Sequence, residues 1–324
     1  MLALLPLLVA LVTSKPTYFA YIDKIPTWWP PTSIAAGIGD PNYSSDKQYN
    51  VLSLGFITTL GPADIGKLWG DPTTYFGTSS EFGSSKDAIQ QKLMKDFHDG
   101  GVKLMISAFG STQAPTTEGL DPTTTCNSLA NFVKNNHLDG IDIDYTDNQA
   151  MDAGTGEAWL IKCTQAARDV LPKGKYYISH SPQAPYFAGA PTYKNGGYLK
   201  VHNEVGDLID WYNVQYFNQG ETRYDTYEEL FISNTGAFAG TAVKQIMDNA
   251  GVPQEKLLIG KPVTVGDQAN TGYVNPSSLG EMARRASSEI GWKAGLAMWQ
   301  FESDTDGDFI KDYKNSLGDY EDEI

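Results

Sequence analysis

Cysteine is scarce in this 324-residue chain, which has two, Cys126 and Cys163. That excludes a disulfide-stapled miniprotein and a thiolate-rich metal module. The chain has four histidines, and His137, His180 and His202 fall in no metal-ligand spacing such as HExxH. No nucleophile elbow, P-loop or dinucleotide fingerprint occurs either, so no metal or cofactor is expected. Positive charge is also in deficit: Lys and Arg total 24 against 39 Asp and Glu, a formal charge of −15. Such a field repels polyanions, which excludes nucleic acid and anionic membranes as favoured partners. A neutral sugar polymer is not disfavoured, and neither is a cationic, partly deacetylated one.

Long apolar runs are missing apart from residues 2–12, LALLPLLVALV, which are too few to span a bilayer. The run ends near Thr13, Ser14 and Lys15 and reads as a signal peptide over residues 1–14, though it has no basic segment before it. A buried N-terminal segment is the alternative. Residues 15–324 are then expected as one secreted, extracellular and monomeric domain with a short acidic tail, GDYEDEI. Cys126 and Cys163 lie about one strand–helix repeat apart, which suits neighbouring outer helices. One disulfide and two buried free thiols both remain open. Asn42-Tyr43-Ser44 is an acceptor sequon for N-glycosylation.

What is abundant is short β-rich runs separated by helical segments. They occupy 17–22, 50–57, 102–108, 139–145, 176–181, 212–217, 256–261 and 295–300. Strand–helix repeats of this length give parallel strands. Eight of them predict an α/β fold, a TIM (β/α)8 barrel, whereas periodicity alone leaves an open doubly wound sheet as the alternative. Helices are expected over 123–136, 157–170 and 278–290, coating the outside. The stretch 58–94 is the longest excursion between strands, and GTSSEFGSS at 77–85 reads as a surface loop.

The strongest chemical motif is Asp139-Gly140-Ile141-Asp142-Ile143-Asp144-Tyr145-Thr146-Asp147. Side chains alternate along a strand, so Asp142, Asp144 and residue 146 share one face. In a barrel that face points inward, stepping toward the C-terminal mouth where barrel enzymes carry their chemistry. Two carboxylates at that spacing repel one another and drive at least one pKa up. A solvated acidic turn and a cation site are the bland alternatives, and Ile141 and Ile143 argue against the turn.

This run resembles the DxxDxDxE signature of family 18 glycoside hydrolases, chitinase-like proteins nearest to the plant class III and fungal type. Asp139, Asp142 and Asp144 match it, and the glutamate position falls on Thr146. The resemblance implies that residue 146 should be the general acid. It also implies that Asp144 should orient the N-acetyl group, whose oxygen attacks in place of an enzyme nucleophile. Ser107-Ala108-Phe109-Gly110 is similar to the family's SxGG, with Phe109 in place of one glycine. Ser181-Pro182-Gln183-Ala184-Pro185 is similar to the APQCP segment of the plant proteins. Gln215-Tyr216-Phe217-Asn218 is similar to QxYN, with Phe217 at the tyrosine position, and Met298-Trp299 resembles the tryptophan that floors the sugar subsite.

Threonine holds its proton too tightly to act as a general acid near neutral pH. Asp147 is next in line, but ideal alternation turns it to the opposite face unless a bulge rescues it. Phe217 keeps an apolar wall and deletes a donor. Trp299, Gln215, Phe217, Asn218, Gln183, Tyr186, with Phe187 beside it, and Trp28 of the Trp28-Trp29 pair are the candidate substrate contacts. Tyr21 and Asp23 are expected at the rim. His180 is a core histidine or a barrel-facing one. The expected function is that of a secreted protein lacking hydrolase activity and binding a chitin oligosaccharide or another N-acetylglucosamine-containing glycan. An active hydrolase using Asp147 or another acid, and a sugar-free scaffold or storage barrel, are the alternatives.

Overall fold

The computed structural model describes residues 15–23, 49–78 and 83–318. The proposed signal segment, Trp28, Trp29, the Asn42 sequon and residues 319–324 of the tail lie outside the described residues. Nine strands are described: β1 (Thr17–Ile22), β2 (Val51–Thr58), β3 (Gly61–Pro62), β4 (Lys103–Gly110), β5 (Gly140–Tyr145), β6 (Tyr177–His180), β7 (Trp211–Gln215), β8 (Leu257–Pro262) and β9 (Gly295–Trp299). Their order is β1-β9-β8-β7-β6-β5-β4-β2-β3, and β1 also pairs with β2. That last pairing closes the sheet into a TIM (β/α)8 barrel and removes the open doubly wound alternative. The eight barrel strands pair in parallel, and β3 is a two-residue antiparallel extension of β2.

Each of the eight expected runs becomes a barrel strand, with ends displaced by up to two residues. The runs are rich in β-branched and aromatic side chains, which pack well on a pleated surface. On β5, Ile141, Ile143 and Tyr145 turn outward, and Tyr145 lies against Trp159 of the helix Gly156–Val170 (5.8 Å between ring centres). Asp142 and Asp144 take the inner face. The expected helices form at Pro122–Asn135, Gly156–Val170 and Pro276–Ile290. The first is capped by Asp121, which accepts from Thr124 N (2.8 Å) with proline as the first helical residue. Asp121 precedes a proline whose missing N–H costs nothing at that position, and this combination favours the earlier start.

The long excursion after β2 holds more structure than a loop. It contains β3 and the helices Asp64–Gly70, Thr73–Phe76 and Lys86–Asp99. His180 faces the helix layer, between Thr164 Oγ1 (3.1 Å) and Tyr198 OH (3.2 Å), because its neighbours Ser179 and Ser181 take the inner face. Burial holds its imidazole well below the usual histidine range, at about 3. Among the described residues no helix is long and apolar enough to cross a membrane, and no group of three or more His, Cys, Asp or Glu side chains could hold a metal ion.

Cys126 and Cys163 form a disulfide, with Cα atoms 5.2 Å apart. Both are fully buried and join the helices Pro122–Asn135 and Gly156–Val170, which flank the exit of β5. The bond closes a loop of 37 residues, for which chain entropy gives about 4 kcal/mol, within the usual 2–5. Cys126→Ser with Cys163→Ser is therefore expected to lower unfolding stability by roughly 2–5 kcal/mol. Guanidinium unfolding followed by circular dichroism measures it.

Candidate functional site

The barrel interior is layered. At its base Phe19 meets Trp211 edge to face (6.5 Å). Above them lies a polar layer built on Asp142, which is fully buried. Asp142 accepts from Ser107 Oγ (2.7 Å) on β4, and from Ser179 Oγ (2.7 Å) and Ser181 Oγ (2.8 and 2.9 Å) on and just after β6. Asn213 Nδ2 (3.1 Å) on β7 and Tyr21 OH (3.2 Å) on β1 complete the set. Tyr21 OH and Ser181 Oγ also lie 2.5 Å apart. Parallel register brings these groups to one level, since Ser107 pairs with Asp142 and Asp142 with Ser179. Only an ionised carboxylate has enough lone pairs to receive this many donors.

Asp144 stands one inward step nearer the mouth and is 7% exposed. Among the described residues it receives one side-chain donor, Gln215 Nε2, on Oδ1 (2.9 Å). The second hydrogen of that amide goes to Ser181 O (3.1 Å). Burial first, and the neighbouring Asp142 charge second, hold the Asp144 carboxyl well above the usual carboxylate range, against the pull of Gln215. Burial also raises Asp142, but the serine hydroxyls and Tyr21 oppose it. The two carboxyls thus differ: Asp142 is ringed by donors that oppose the upward push of burial, whereas Asp144 has one donor and is pushed further up.

The wall facing them is aromatic. Trp299 stacks on Phe56 (6.0 Å), and Tyr21 packs beside both (5.6 and 6.5 Å). Gly110 must be bare here, because an added Cβ would stand 2.9 Å from the Phe56 ring and its φ is +61°. Phe109 before it takes a φ of +74°, costly for a side-chain-bearing residue, with its ring buried edge-on against Trp159 (5.6 Å).

At the exit of β5, Thr146 donates its hydroxyl proton to the Gly110 carbonyl (2.7 Å). The side chain ties two strand ends together. Asp147 is buried and turned away into the loop after β4. It accepts from Thr117 N (2.7 Å), Thr117 Oγ1 (2.5 Å) and Ala150 N (3.1 Å), capping the helix Asn148–Ala153. No bulge brings it into the pocket.

Several other candidates sit elsewhere than expected. Tyr21, read as a rim residue, lies inside beneath the mouth, because it shares the inward parity of Phe19. Tyr186 is buried and donates to Asn148 Oδ1 (2.7 Å), because a 3-10 turn over Ala184–Ala188 folds it under the surface; Phe187 in the same turn is buried as well. Asn218 is structural, with a φ of +60° and Oδ1 accepting from Ala269 N (2.7 Å) and Asn270 N (3.2 Å). Gln183 bridges to Gln215 through its backbone. Phe217 is nearly buried under the 271–273 loop, where a Cβ on Gly272 would lie 2.3 Å from its own. Asp139 lies at the base of the barrel, on Leu104 N (2.8 Å) and His98 Nε2 (2.9 Å). The sequence reading did not single out Ser179, Asn213 or Phe56. The period-two serines of Ser179-His180-Ser181 were the available sign.

The family profile described as Glycosyl hydrolases family 18 matches residues 47–323. Endochitinase 3 of Metarhizium anisopliae is 25% identical over 282 residues, covering 80% of this chain and 86% of that protein. Among solved structures, a GH18 chitinase from Pseudoalteromonas aurantia has a TM-score of 0.69 at 26% identity and covers 93% of this chain and 100% of its own. The xylanase and alpha-amylase inhibitor protein XAIP-II of Scadoxus multiflorus, at TM-score 0.57 and 16% identity, covers 93% of this chain and 99% of its own. That second likeness is one of fold alone.

Two outcomes follow from the geometry. Asp144 titrates higher in the folded chain than the unfolded value of about 3.9. Its contribution to stability is therefore fully present below that value and lost as pH rises through the folded one. Asp144→Asn, which cannot ionise, should melt higher than the wild type at about pH 7–8 and show no gain near pH 3; thermal scans across pH check this. Asp147→Asn should cost roughly 1–2 kcal/mol in denaturant unfolding, through the weakened cap and the Thr117 anchor.

Proposed function

Because this chain belongs to glycosyl hydrolase family 18, we propose that it is a secreted chitinase-like protein without hydrolase activity that binds chitin fragments or another N-acetylglucosamine-containing glycan. The observation that carries the reading is the exit of β5. By the resemblance to the family signature Thr146 falls at the position of the acid, and its one proton is committed to the Gly110 carbonyl (2.7 Å). The adjacent carboxylate, Asp147, is buried under Thr117 and the start of a helix. Cleaving a glycosidic bond needs a proton on the departing oxygen, and general acid catalysis supplies about 10²–10⁴-fold. Phe217 adds no hydroxyl to stabilise the acetamido group.

The binding half of the proposal rests on what is kept. Trp299 and Phe56 offer an aromatic face against which a pyranose ring can stack, and Asp144 and Gln215 lie beside it. Secretion is supported by the apolar run at residues 2–12 and by the Cys126–Cys163 disulfide, which belongs to an oxidising compartment. In this reading residues 1–14 are removed and the remainder acts as a monomeric domain.

Incubation with a defined chitin hexamer, read by mass spectrometry, should give no product, while calorimetric titration of the same oligomer gives saturable heat. Thr146→Glu should raise cleavage above background by up to about 10²–10⁴-fold. Turnover by the wild type would establish an active hydrolase. Absence of both turnover and binding would favour the scaffold.

A further inference from the structure

We infer that Lys261 is a positioning residue of the glycan site: its buried amine closes the neck of the 216–224 excursion and so fixes Gln215 and Phe217 at the mouth. The assignment rests on the glycan-binding reading and adds to that site a residue from outside the cleft.

Lys261 stands on β8 at a position that the fold otherwise fills with apolar side chains. Register pairs Asn213 with Leu258 and Gln215 with Gly260 on the inner face, so Leu257, Ile259 and Lys261 turn outward to the helix layer. Leu257 and Ile259 are fully buried there, and so is Lys261. An ammonium group in such a place is costly unless acceptors take up its hydrogens. Its Nζ donates to Tyr216 O (2.9 Å) and Tyr224 O (2.9 Å), and it pairs with the Asp225 carboxylate at 3.6 Å. Burial pulls the amine down to about 8, against the charges of Asp225 and Glu229, so it is still an ammonium group at pH 7.

The two carbonyls are the ends of one excursion. The chain leaves β7 at Gln215, passes through Phe217 and Asn218, and returns at Tyr224, whose ring meets that of Tyr216 (4.9 Å). Asn218 has a φ of +60° and Tyr224 one of +62°, a left-handed conformation that side-chain-bearing residues adopt only when their surroundings hold them there. Tyr216 N on Gly260 O (3.1 Å) anchors the near end, and the amine links both ends to β8. Just before the held Tyr216 carbonyl is Gln215, which donates to Asp144 Oδ1 (2.9 Å). Just after it is Phe217. An apolar side chain at position 261 would fill the same space and leave both carbonyls without this donor. A hydroxyl would bring one hydrogen for two acceptors.

The test compares wild type, Lys261→Met and Lys261→Ala at pH 7 by calorimetric titration with the chitin hexamer, beside amide hydrogen exchange read by mass spectrometry. Lys261→Met should fold, exchange faster over residues 215–225 with the rest of the barrel unchanged, and bind the hexamer at least about tenfold more weakly. Lys261→Ala should lose affinity likewise and regain it with added n-propylamine, which replaces the missing part of the side chain, but not with n-propanol. Wild-type affinity in Lys261→Met would overturn the inference and leave the glycan-binding reading standing. So would a loss of affinity that comes with faster exchange across the whole barrel and is not restored by the amine. Failure of both variants to fold, with or without propylamine, would overturn it too, since the amine would then be a requirement of the barrel and not of its mouth. Absence of hexamer binding by the wild type would overturn both.

Discussion

The structure depends on a single buried anion. Asp142 sits fully enclosed at the centre of the barrel, where an unpaired carboxylate would be prohibitive. It is held there by hydroxyl and amide groups from β1, β4, β6, β7 and the turn that follows β6. Because the donors come from strands far apart in sequence, they assemble only when the barrel closes in the correct register. A slip of one residue on any of these strands would turn its donor to the helix side and strand the charge. The polar layer is thus a register device as well as a chemical one. It also acts on its neighbour, since the Asp142 charge adds to burial in pushing the Asp144 carboxyl up.

Much of this was legible in the sequence. The eight strand runs could be read because β-rich composition and spacing agree, and their number pointed to a closed barrel, while the pairing of β1 with β2 was needed to remove the open sheet. The pairing of Asp142 and Asp144 on one face needed only the period of two. The same rule turned Asp147 away, and the structure supplies its destination, the amide and hydroxyl of Thr117. Less legible were contacts made across the barrel. Tyr21 reads as a rim residue because it lies near a strand end, yet parity with Phe19 puts it inside. Ser179 and Asn213 look unremarkable until strand register sets them beside Asp142. Tyr186 follows a proline-containing turn whose sense the sequence does not reveal, and that turn buries it.

The two positions read from the sequence as departures from the family pattern, Thr146 and Phe217, fit together structurally. Thr146 is short enough to reach the Gly110 carbonyl on the neighbouring strand, and Gly110 is bare because Phe56 fills the space where its side chain would go. A glutamate at residue 146 would have to abandon that link and extend over the pocket. Phe217 is pressed beneath the loop at 270–273, where Thr271 O accepts from Asn218 N and Asn270 Oδ1 accepts from Gly220 N. Each replacement is integrated into its surroundings, so the mouth is a settled surface of its own kind.

That surface has a direction. An enzyme that protonates a leaving group needs a donor poised above the sugar. Among the described residues, Thr146 and Gln215 have turned their protons toward the protein, and Asp144 lies beside them. Removing a general acid without changing the rest would leave a cleft tuned for the original acetamide. In the proposed reading, loss of catalysis is a consequence of the arrangement at the end of β5.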